Sequence, residues 1–85
     1  MPTIFIIHGF RFFFFSNEGT EPIHIHVEKT DKLCKFWLKP ISLARNYKFT
    51  SAELRKIMDI IENHKSEIEE KWNDYFNKWP ARWKG

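Results

Sequence analysis

The stretches FRFFFFS at residues 10–16 and IHIHVE at residues 23–28 decide the fold of this chain. Both consist largely of aromatic and β-branched residues, which favour strands, and the loop between them contains Asn, Gly and Pro, which favour turns. Each stretch is short and bounded by turn residues, as strands of a small antiparallel sheet are. The two stretches therefore predict neighbouring antiparallel strands joined by a loop.

Two further runs extend this sheet along the chain. Residues 3–7 precede a His8-Gly9 pair, and glycine at the second position suits a tight two-residue hairpin turn. The run LCKFWL at residues 33–38 follows another polar turn and ends before Pro40, since proline cannot donate a hydrogen bond to a sheet. The sequence thus predicts a meander of three to four antiparallel strands within residues 3–38.

One strand register sorts the side chains cleanly between the two faces of this sheet. Arg11 is placed opposite Glu28, and Val27 opposite Cys34. Because side chains alternate across a strand, one face then holds only apolar residues, and a one-residue slip would mix the faces. The apolar face holds Phe10, Phe12, Phe14, Ile23, Ile25, Val27, Cys34, Phe36 and Leu38. The opposite face holds Arg11, Phe13, Phe15, His24, His26, Glu28, Lys35 and Trp37.

A helix is predicted over residues 51–77. Thr50 and Glu53 have the spacing of a capping box, and apolar residues recur at three- and four-residue steps beyond them. This stripe is expected to pack on the apolar face of the sheet. A straight helix of this length would span ~40 Å, so it should overhang the sheet, bend, or break near Asn63-His64.

Length and composition describe one α+β domain over residues 1–77 and a basic, Trp-containing tail over residues 78–85. The chain has 85 residues, 18% of them aromatic, which can supply burial in a thin core. Its one cysteine, Cys34, and the lack of a secretory or membrane-spanning run favour a cytoplasmic protein with no membrane partner. Basic residues prevail in the sheet and the tail, and acidic residues in the helix, so nucleic acid is a candidate partner.

His24 and His26 are the sharpest chemical feature. Two residues apart on a strand, they point the same way, ~6–7 Å apart. That spacing suits two metal ligands, an acid and a base at one phosphate, or two half-exposed imidazoles stacked on Phe13, Phe15 and Trp37. No clear third ligand accompanies them, so we predict no metal, and the sequence has no phosphate-binding glycine loop, so we predict no nucleotide cofactor either.

Of these alternatives, a metal-independent ribonuclease is the one for which the sequence offers a residue in every required role. His24 and His26 would be its catalytic acid and base, and Arg11 and Lys35 on the same face would bind the phosphate. The nucleic-acid-binding face would be completed by aromatic residues that stack bases, namely Phe13, Phe15 and Trp37. Without the chemistry, the same face would belong to a non-enzymatic module that binds protein or nucleic acid.

The order of these motifs resembles a known family. The run FRFFFFSNE at residues 10–18, the His24-Ile25-His26-Val27 strand, KFWL at residues 35–38 and the closing Trp72-x-x-Tyr75-Phe76 are similar to the small bacterial family numbered 4160 among domains of unknown function. This resemblance implies a stand-alone cytosolic protein, often encoded beside an antitoxin-like small protein. It therefore implies a toxin-like component of a type II toxin–antitoxin pair.

The chain departs from the family pattern at two positions. Phe15 stands where members commonly carry Tyr, and Ile23 where they carry a second Pro. The missing hydroxyl weakens any mechanism that uses a tyrosine at residue 15.

The end of the helix is the predicted partner-binding surface. It carries a cluster of aromatic residues beyond the length of the sheet, and aromatic residues with arginine are common anchors of protein interfaces. The expected partner is a cognate antitoxin-like protein or a second copy in a homodimer, unless the tail folds back onto its own core. The partner-binding residues would be Trp72, Tyr75, Phe76, Trp79 and Trp83.

Overall fold

The computed structural model describes residues 3–15 and 21–76. They form one five-stranded antiparallel sheet in the order β1-β2-β3-β4-β5, followed by two helices. The elements are β1 (Thr3–Ile7), β2 (Phe10–Phe13), β3 (His24–Lys29), β4 (Lys32–Leu38), β5 (Ile41–Tyr47), α1 (Ser51–Asn63) and α2 (Lys65–Phe76).

The α+β class and the meander are confirmed, with one strand more than predicted. The predicted register is also found: Arg11 pairs with Glu28, and Val27 pairs with Cys34. The first hairpin turns at His8 and Gly9, whose φ angles of 54° and 82° both lie in the left-handed region that a two-residue turn requires. Strand β2 ends at Phe13, so the pairing does not extend to Phe15.

The prediction that the sheet ends at Leu38 is wrong. Pro40 closes β4 but also sits in the turn to β5, and its peptide bond with Lys39 is cis. Strand β5 pairs with β4 from Leu38↔Ile41 to Leu33↔Tyr47, with a bulge between Lys35 and Phe36. The bulge disturbs the alternation of apolar residues in β5, which is the pattern that marks a strand in a sequence.

The single long helix is likewise corrected. The helix is interrupted at His64, whose φ of −119° is not helical, and it resumes at Lys65. A break near Asn63-His64 is one of the three alternatives predicted from the sequence for a helix longer than its sheet. The His64 amide donates to the carbonyls of Ile60 and Ile61, and the His64 carbonyl accepts from Ile68, so backbone hydrogen bonds continue across the break.

The predicted capping box at the start of α1 is confirmed. The Glu53 amide donates to Thr50 Oγ1 at 3.1 Å, and the Thr50 amide donates to Glu53 Oε1 at 2.9 Å. Two donors at the helix start are thereby satisfied reciprocally. Phe49, just before the cap, is buried in the core, and Leu54 is partly buried against the core cluster.

The core lies between the helices and one face of the sheet, which we call the inner face. Its strand residues include Phe12, Ile25 and Phe36, all fully buried, as the apolar pattern predicts. The helices contribute Ile57, Ile60, Ile61, Ile68 and Trp72. The opposite side, the outer face, includes Arg11, Phe13, His24, His26, Glu28, Leu33, Lys35, Trp37, Ser42, Arg45 and Tyr47, together with Phe15 beyond the end of β2.

Candidate nucleic-acid interface

The middle of the outer face is a cluster of aromatic and imidazole rings. The Phe13 and His26 rings are stacked with centroids 5.5 Å apart, and the Phe15 ring meets the His26 ring edge-on at 4.5 Å. Phe13 and Phe15 also contact each other, at 5.3 Å. Offset and edge-on arrangements are the favourable ones for such rings, so the cluster fixes the orientation of the His26 imidazole.

His24 lies deeper than its strand position suggests. Its ring is within 5.5 Å of the Trp37 ring and 5.1 Å of the Trp72 ring of α2, and it is fully buried. Its Nδ1 is 2.8 Å from the carbonyl oxygen of Pro22, which can only accept, so Nδ1 donates. His24 therefore connects the outer face to the second helix.

The two imidazoles are neighbours, but only one faces the main pocket. The His24 and His26 ring centroids are 5.2 Å apart, and the rings are nearly perpendicular. His26 retains 7% of its exposure and lines a pocket, whereas His24 does not line it. The expectation of two half-exposed imidazoles is thus wrong, although the stacking partners Phe13, Phe15 and Trp37 are the ones expected.

Two predicted phosphate-binding cations are held on aromatic rings and by carboxylates. Arg11 lies over the Phe13 ring, with Cζ 4.4 Å from the centroid, and forms an ion pair with Glu28 at 3.1 Å. Lys35 Nζ lies 4.5 Å from the centroid of Trp37 and 2.9 Å from Glu21 Oε1. Such contacts hold the long cationic side chains flat against the sheet.

The pocket beside His26 has a volume of about 410 Å³. Two cations, Lys35 and Arg45, line it together with one carboxylate, Glu21. Its remaining lining residues are Phe15, His26, Leu33, Cys34 and Tyr47. Aromatic rings, cations and an imidazole therefore converge on one cavity of a size typical for small-ligand sites.

The bulge in β5 explains why Arg45 and Tyr47 reach this pocket. Leu43 pairs with Phe36, whereas Lys35 pairs with Arg45, so Ala44 is the extra residue between them. In a regular strand Leu43, Arg45 and Tyr47 would all face the same side. The bulge leaves Leu43 beside α1 and turns the two later side chains onto the outer face, as bulges next to functional sites often do.

Arg45 and Tyr47 are the site residues that sequence reasoning missed. Arg45 is exposed, and none of the described contacts gives it an ion-pair partner; Tyr47 is 57% exposed. The one available signal was the run ISLARNY at residues 41–47, whose apolar residues would have indicated a strand without indicating the bulge.

The structure thus separates the predicted nucleic-acid-binding residues into three groups. Phe15 and Lys35 line the main pocket with His26. Trp37 lines a second pocket of about 200 Å³ on the same face. Arg11 and Phe13 line neither, and their contacts support the ring cluster.

The aromatic residues predicted to bind a partner also differ in their surroundings. Trp72 is 6% exposed and packs on Phe14 at 5.1 Å and on Phe76 at 4.3 Å, so it belongs to the core of its own chain. Tyr75 is 42% exposed at the end of α2. Trp79 and Trp83, like the rest of the tail over residues 78–85, lie outside the described residues.

Other chemistry was also considered for the residues that the structure describes. Within residues 3–15 and 21–76, no group of three or more His, Cys, Asp and Glu side chains is placed to hold a metal ion. Burial raises the pKa of the Cys34 thiol to about 12, so this thiol stays protonated at neutral pH. None of the helices described is both long enough and apolar enough to cross a membrane.

Comparison with protein-family models identifies a family that this chain matches. A family model described as "Domain of unknown function (DUF4160)" matches residues 9–73, which include the ring cluster, the bulge and most of both helices. No curated protein and no solved structure matches the chain.

Proposed function

This chain belongs to the DUF4160 family, a domain of unknown function, and from that premise we propose that it binds RNA through its outer face as the toxin-like component of a type II toxin–antitoxin pair. The observation that carries RNA binding is the pocket where Lys35 and Arg45 meet the rings of Phe15, His26 and Tyr47. The phosphate and the base of a nucleotide each have a matching group there.

The cations suit the phosphate. Arg45 is exposed and can present its guanidinium fork to two phosphate oxygens, and Lys35 supplies a second positive charge from the neighbouring strand. Glu21 accepts a hydrogen bond from Lys35 at 2.9 Å and keeps that ammonium at the pocket. An incoming phosphate would compete with this carboxylate for the same Lys35 protons.

The aromatic rings suit an unstacked base. A side chain such as Tyr47 can stack only on a base that has left its duplex, and single-stranded RNA offers such bases in loops and at ends. A pocket is also a poor fit for a continuous duplex, which proteins read mainly through its outer shape and backbone. The proposed ligand is therefore single-stranded RNA.

The matched variants Arg45→Ala and Arg55→Ala test this binding. Both remove one exposed arginine, but Arg55 lies on α1, beside Leu54 and Met58 and away from the outer face. Fluorescence anisotropy with a labelled single-stranded RNA should show binding weakened roughly 10- to 150-fold by Arg45→Ala, since a charge-assisted hydrogen bond contributes about 1.5–3 kcal/mol. The slope of log affinity against log salt should also decrease by about 1.

The Arg55→Ala variant should bind as the unmodified protein does. Equal losses in the two variants would mean that RNA responds only to net charge. An unmodified protein that binds no RNA at all would contradict the proposed function.

RNA cleavage is a second candidate, favoured by the position of His26 in the pocket. His26 lines the pocket and the His24 ring is 5.2 Å from it. The pair could remove the proton of a 2′-hydroxyl and supply one to the leaving 5′-oxygen, so that the 2′-oxygen bonds to phosphorus as the P–O5′ bond breaks. The products would be a 2′,3′-cyclic phosphate and a 5′-hydroxyl, with no co-reactant.

Cleavage of a labelled RNA by His26→Ala and His24→Ala proteins tests this candidate. General acid–base catalysis is worth about 10²–10⁴-fold, so either change should reduce the rate by that factor. Activity should be bell-shaped in pH and unaffected by a chelator. Full activity in the double variant would refute the imidazole mechanism but would not contradict the proposal that the protein binds RNA.

The toxin-like role predicts a protein partner, either an antitoxin-like protein or a second copy. Of the predicted partner-binding residues that the structure describes, Tyr75 at the end of α2 is the most exposed. Expression in a bacterial host should arrest growth, and co-expression with the neighbouring small protein should restore it. Sedimentation velocity of the purified protein and of Tyr75→Ala would detect the homodimer, and normal growth on expression would contradict the toxin-like role.

A further inference from the structure

A second pocket lies on the outer face, next to the proposed RNA pocket. It has a volume of about 200 Å³ and is lined by Pro22, Ile23, Trp37, Lys39, Pro40 and Ser42. Most of its lining is apolar, and Trp37 supplies an aromatic surface. A hollow with one large ring and a cation at its edge resembles a base-binding subsite.

Lys35 connects this pocket to the first one. Lys35 and Trp37 are two residues apart on β4, so their side chains leave the same face about 6.6 Å apart along the strand. Lys35 lines the first pocket, and its ammonium lies 4.5 Å from the centre of the Trp37 ring, which lines the second. A single positive charge therefore stands between the two cavities.

The positions of the two pockets do not fit stacked neighbours. His26, which lines the first pocket, pairs with Lys35 and therefore lies about 6.6 Å along the sheet from Trp37, which lines the second, whereas bases of one strand in a duplex are ~3.4 Å apart. Two consecutive bases can occupy the two pockets only after they have unstacked, with the phosphate between them near Lys35. Lys39 marks the far side: it is largely exposed, and its ion pair with Glu69 is long, at 3.9 Å.

We propose that the outer face holds two consecutive nucleotides, with one base in the pocket of His26 and Tyr47, the next base on Trp37, and their bridging phosphate on Lys35. The inference rests on the proposed RNA binding and extends it to the class of ligand. The site takes a dinucleotide or a longer single strand, and a mononucleotide fills only half of it. Lys39 lies where the following phosphate leaves the site.

The test compares a mononucleotide with a dinucleotide on the full-length protein. Isothermal titration with uridine 3′-monophosphate, whose phosphate corresponds to the bridging phosphate beside the first base, and with the dinucleotide UpU should show that UpU binds more tightly. Trp37→Ala should weaken UpU binding roughly 5- to 150-fold, the effect of losing one stacked base. It should weaken monophosphate binding less, because that ligand is affected only through Lys35, which lies over the Trp37 ring and lines the first pocket. Tyr47→Ala, which alters the first pocket, should weaken both ligands.

Trp37→Phe guards against a folding failure of Trp37→Ala, because it keeps a ring for stacking while removing part of the surface. It should lie between the unmodified protein and Trp37→Ala in its affinity for UpU. If the 3′-monophosphate and UpU bind equally, or if Trp37→Ala weakens both alike, the two-subsite arrangement is overturned while RNA binding stands. If neither UpU nor a longer single strand binds, the proposed function itself fails.

Discussion

The two faces of the sheet are built from alternate residues of the same strands, yet they reach burial in different ways. Leu38 and Phe36 on the inner face are covered by helices that come later in the chain. Phe13 and His26 on the outer face are nearly as buried, but their described neighbours are other rings and cations of the sheet itself. Burial alone therefore does not identify the core of this protein. On the outer face the buried residues include the polar side chain of His26, which lines a pocket.

The largest expected effect separates two leucines of the same strand. Leu38 on the inner face is fully buried, and Leu33 on the outer face is 38% exposed. Leu38→Ala should lower the free energy of unfolding by about 2–5 kcal/mol, because it opens a cavity in the core. Leu33→Ala should cost less than about 1 kcal/mol. Equal losses in urea denaturation would show that the two faces are equivalent cores.

The two histidines sharpen the comparison within the outer face. His24→Ala removes a buried ring and the donor to the Pro22 carbonyl, so it should destabilise the fold by roughly 2–4 kcal/mol. His26→Ala should chiefly weaken RNA binding, because His26 lines the pocket. Urea denaturation and RNA titration on both variants measure the two effects, and a stability loss larger for His26 than for His24 would reverse the assignment.

A smaller effect on stability is expected at the start of α1, the first of the two helices that cover the inner face. Thr50→Ala removes the side-chain acceptor that caps α1 and should cost about 1 kcal/mol in thermal or urea unfolding. Thr50→Ser keeps the hydroxyl and serves as the control, with little loss expected. RNA affinity should not change in either variant, since the cap lies on the inner side; a change would link helix stability to the outer face.

The smallest effect concerns pH and an ion pair that joins α1 to the start of β4. Lys32 donates to Glu53 at 2.8 Å, and this bond, with the cap, lowers the pKa of Glu53 from 4.5 to about 2. A lowered pKa in the folded state stabilises the fold above pH 4.5, and this stabilisation is lost as the pH falls towards 2.

Glu53→Gln should therefore flatten the dependence of stability on pH between 4.5 and 2. Glu62→Gln, which removes an exposed carboxylate from the same helix, should keep the slope of the unmodified protein. Urea denaturation at several pH values measures both slopes. A Glu53→Gln profile parallel to that of the unmodified protein would show that the ion pair contributes nothing.

The register of β2, β3 and β4 could be predicted from the sequence because it has only one self-consistent solution. Pairing Arg11 with Glu28 and Val27 with Cys34 leaves one face of the sheet wholly apolar, and a slip of one residue would place charged side chains on that face. The capping box was predictable for a similar reason, since Thr50 and Glu53 interact only with their local backbone and each other.

The features that escaped prediction depend on contacts between distant parts of the chain. The bulge at Ala44 is visible only once β5 is paired with β4, and without it Arg45 and Tyr47 would not be assigned to the outer face. The burial of His24 depends on contact between its ring and the ring of Trp72, which comes 48 positions later in the chain. Trp72 lies on α2, after the helix break at His64. The spacing of apolar residues continues across His64 and therefore does not indicate the break.

The break at His64 also divides the helical layer into parts that can open separately. Helix α2 has 12 residues, a length at which an isolated helix is marginal in water, and it is anchored in the core by Ile68 and Trp72. Its amide protons are therefore expected to exchange with solvent faster than those of the capped, 13-residue α1. Each such local opening would withdraw Trp72 from His24 while leaving the pairing of β4 with β5 in place. The exclusion of water from the His24 imidazole therefore depends on α2, the helix expected to open more readily.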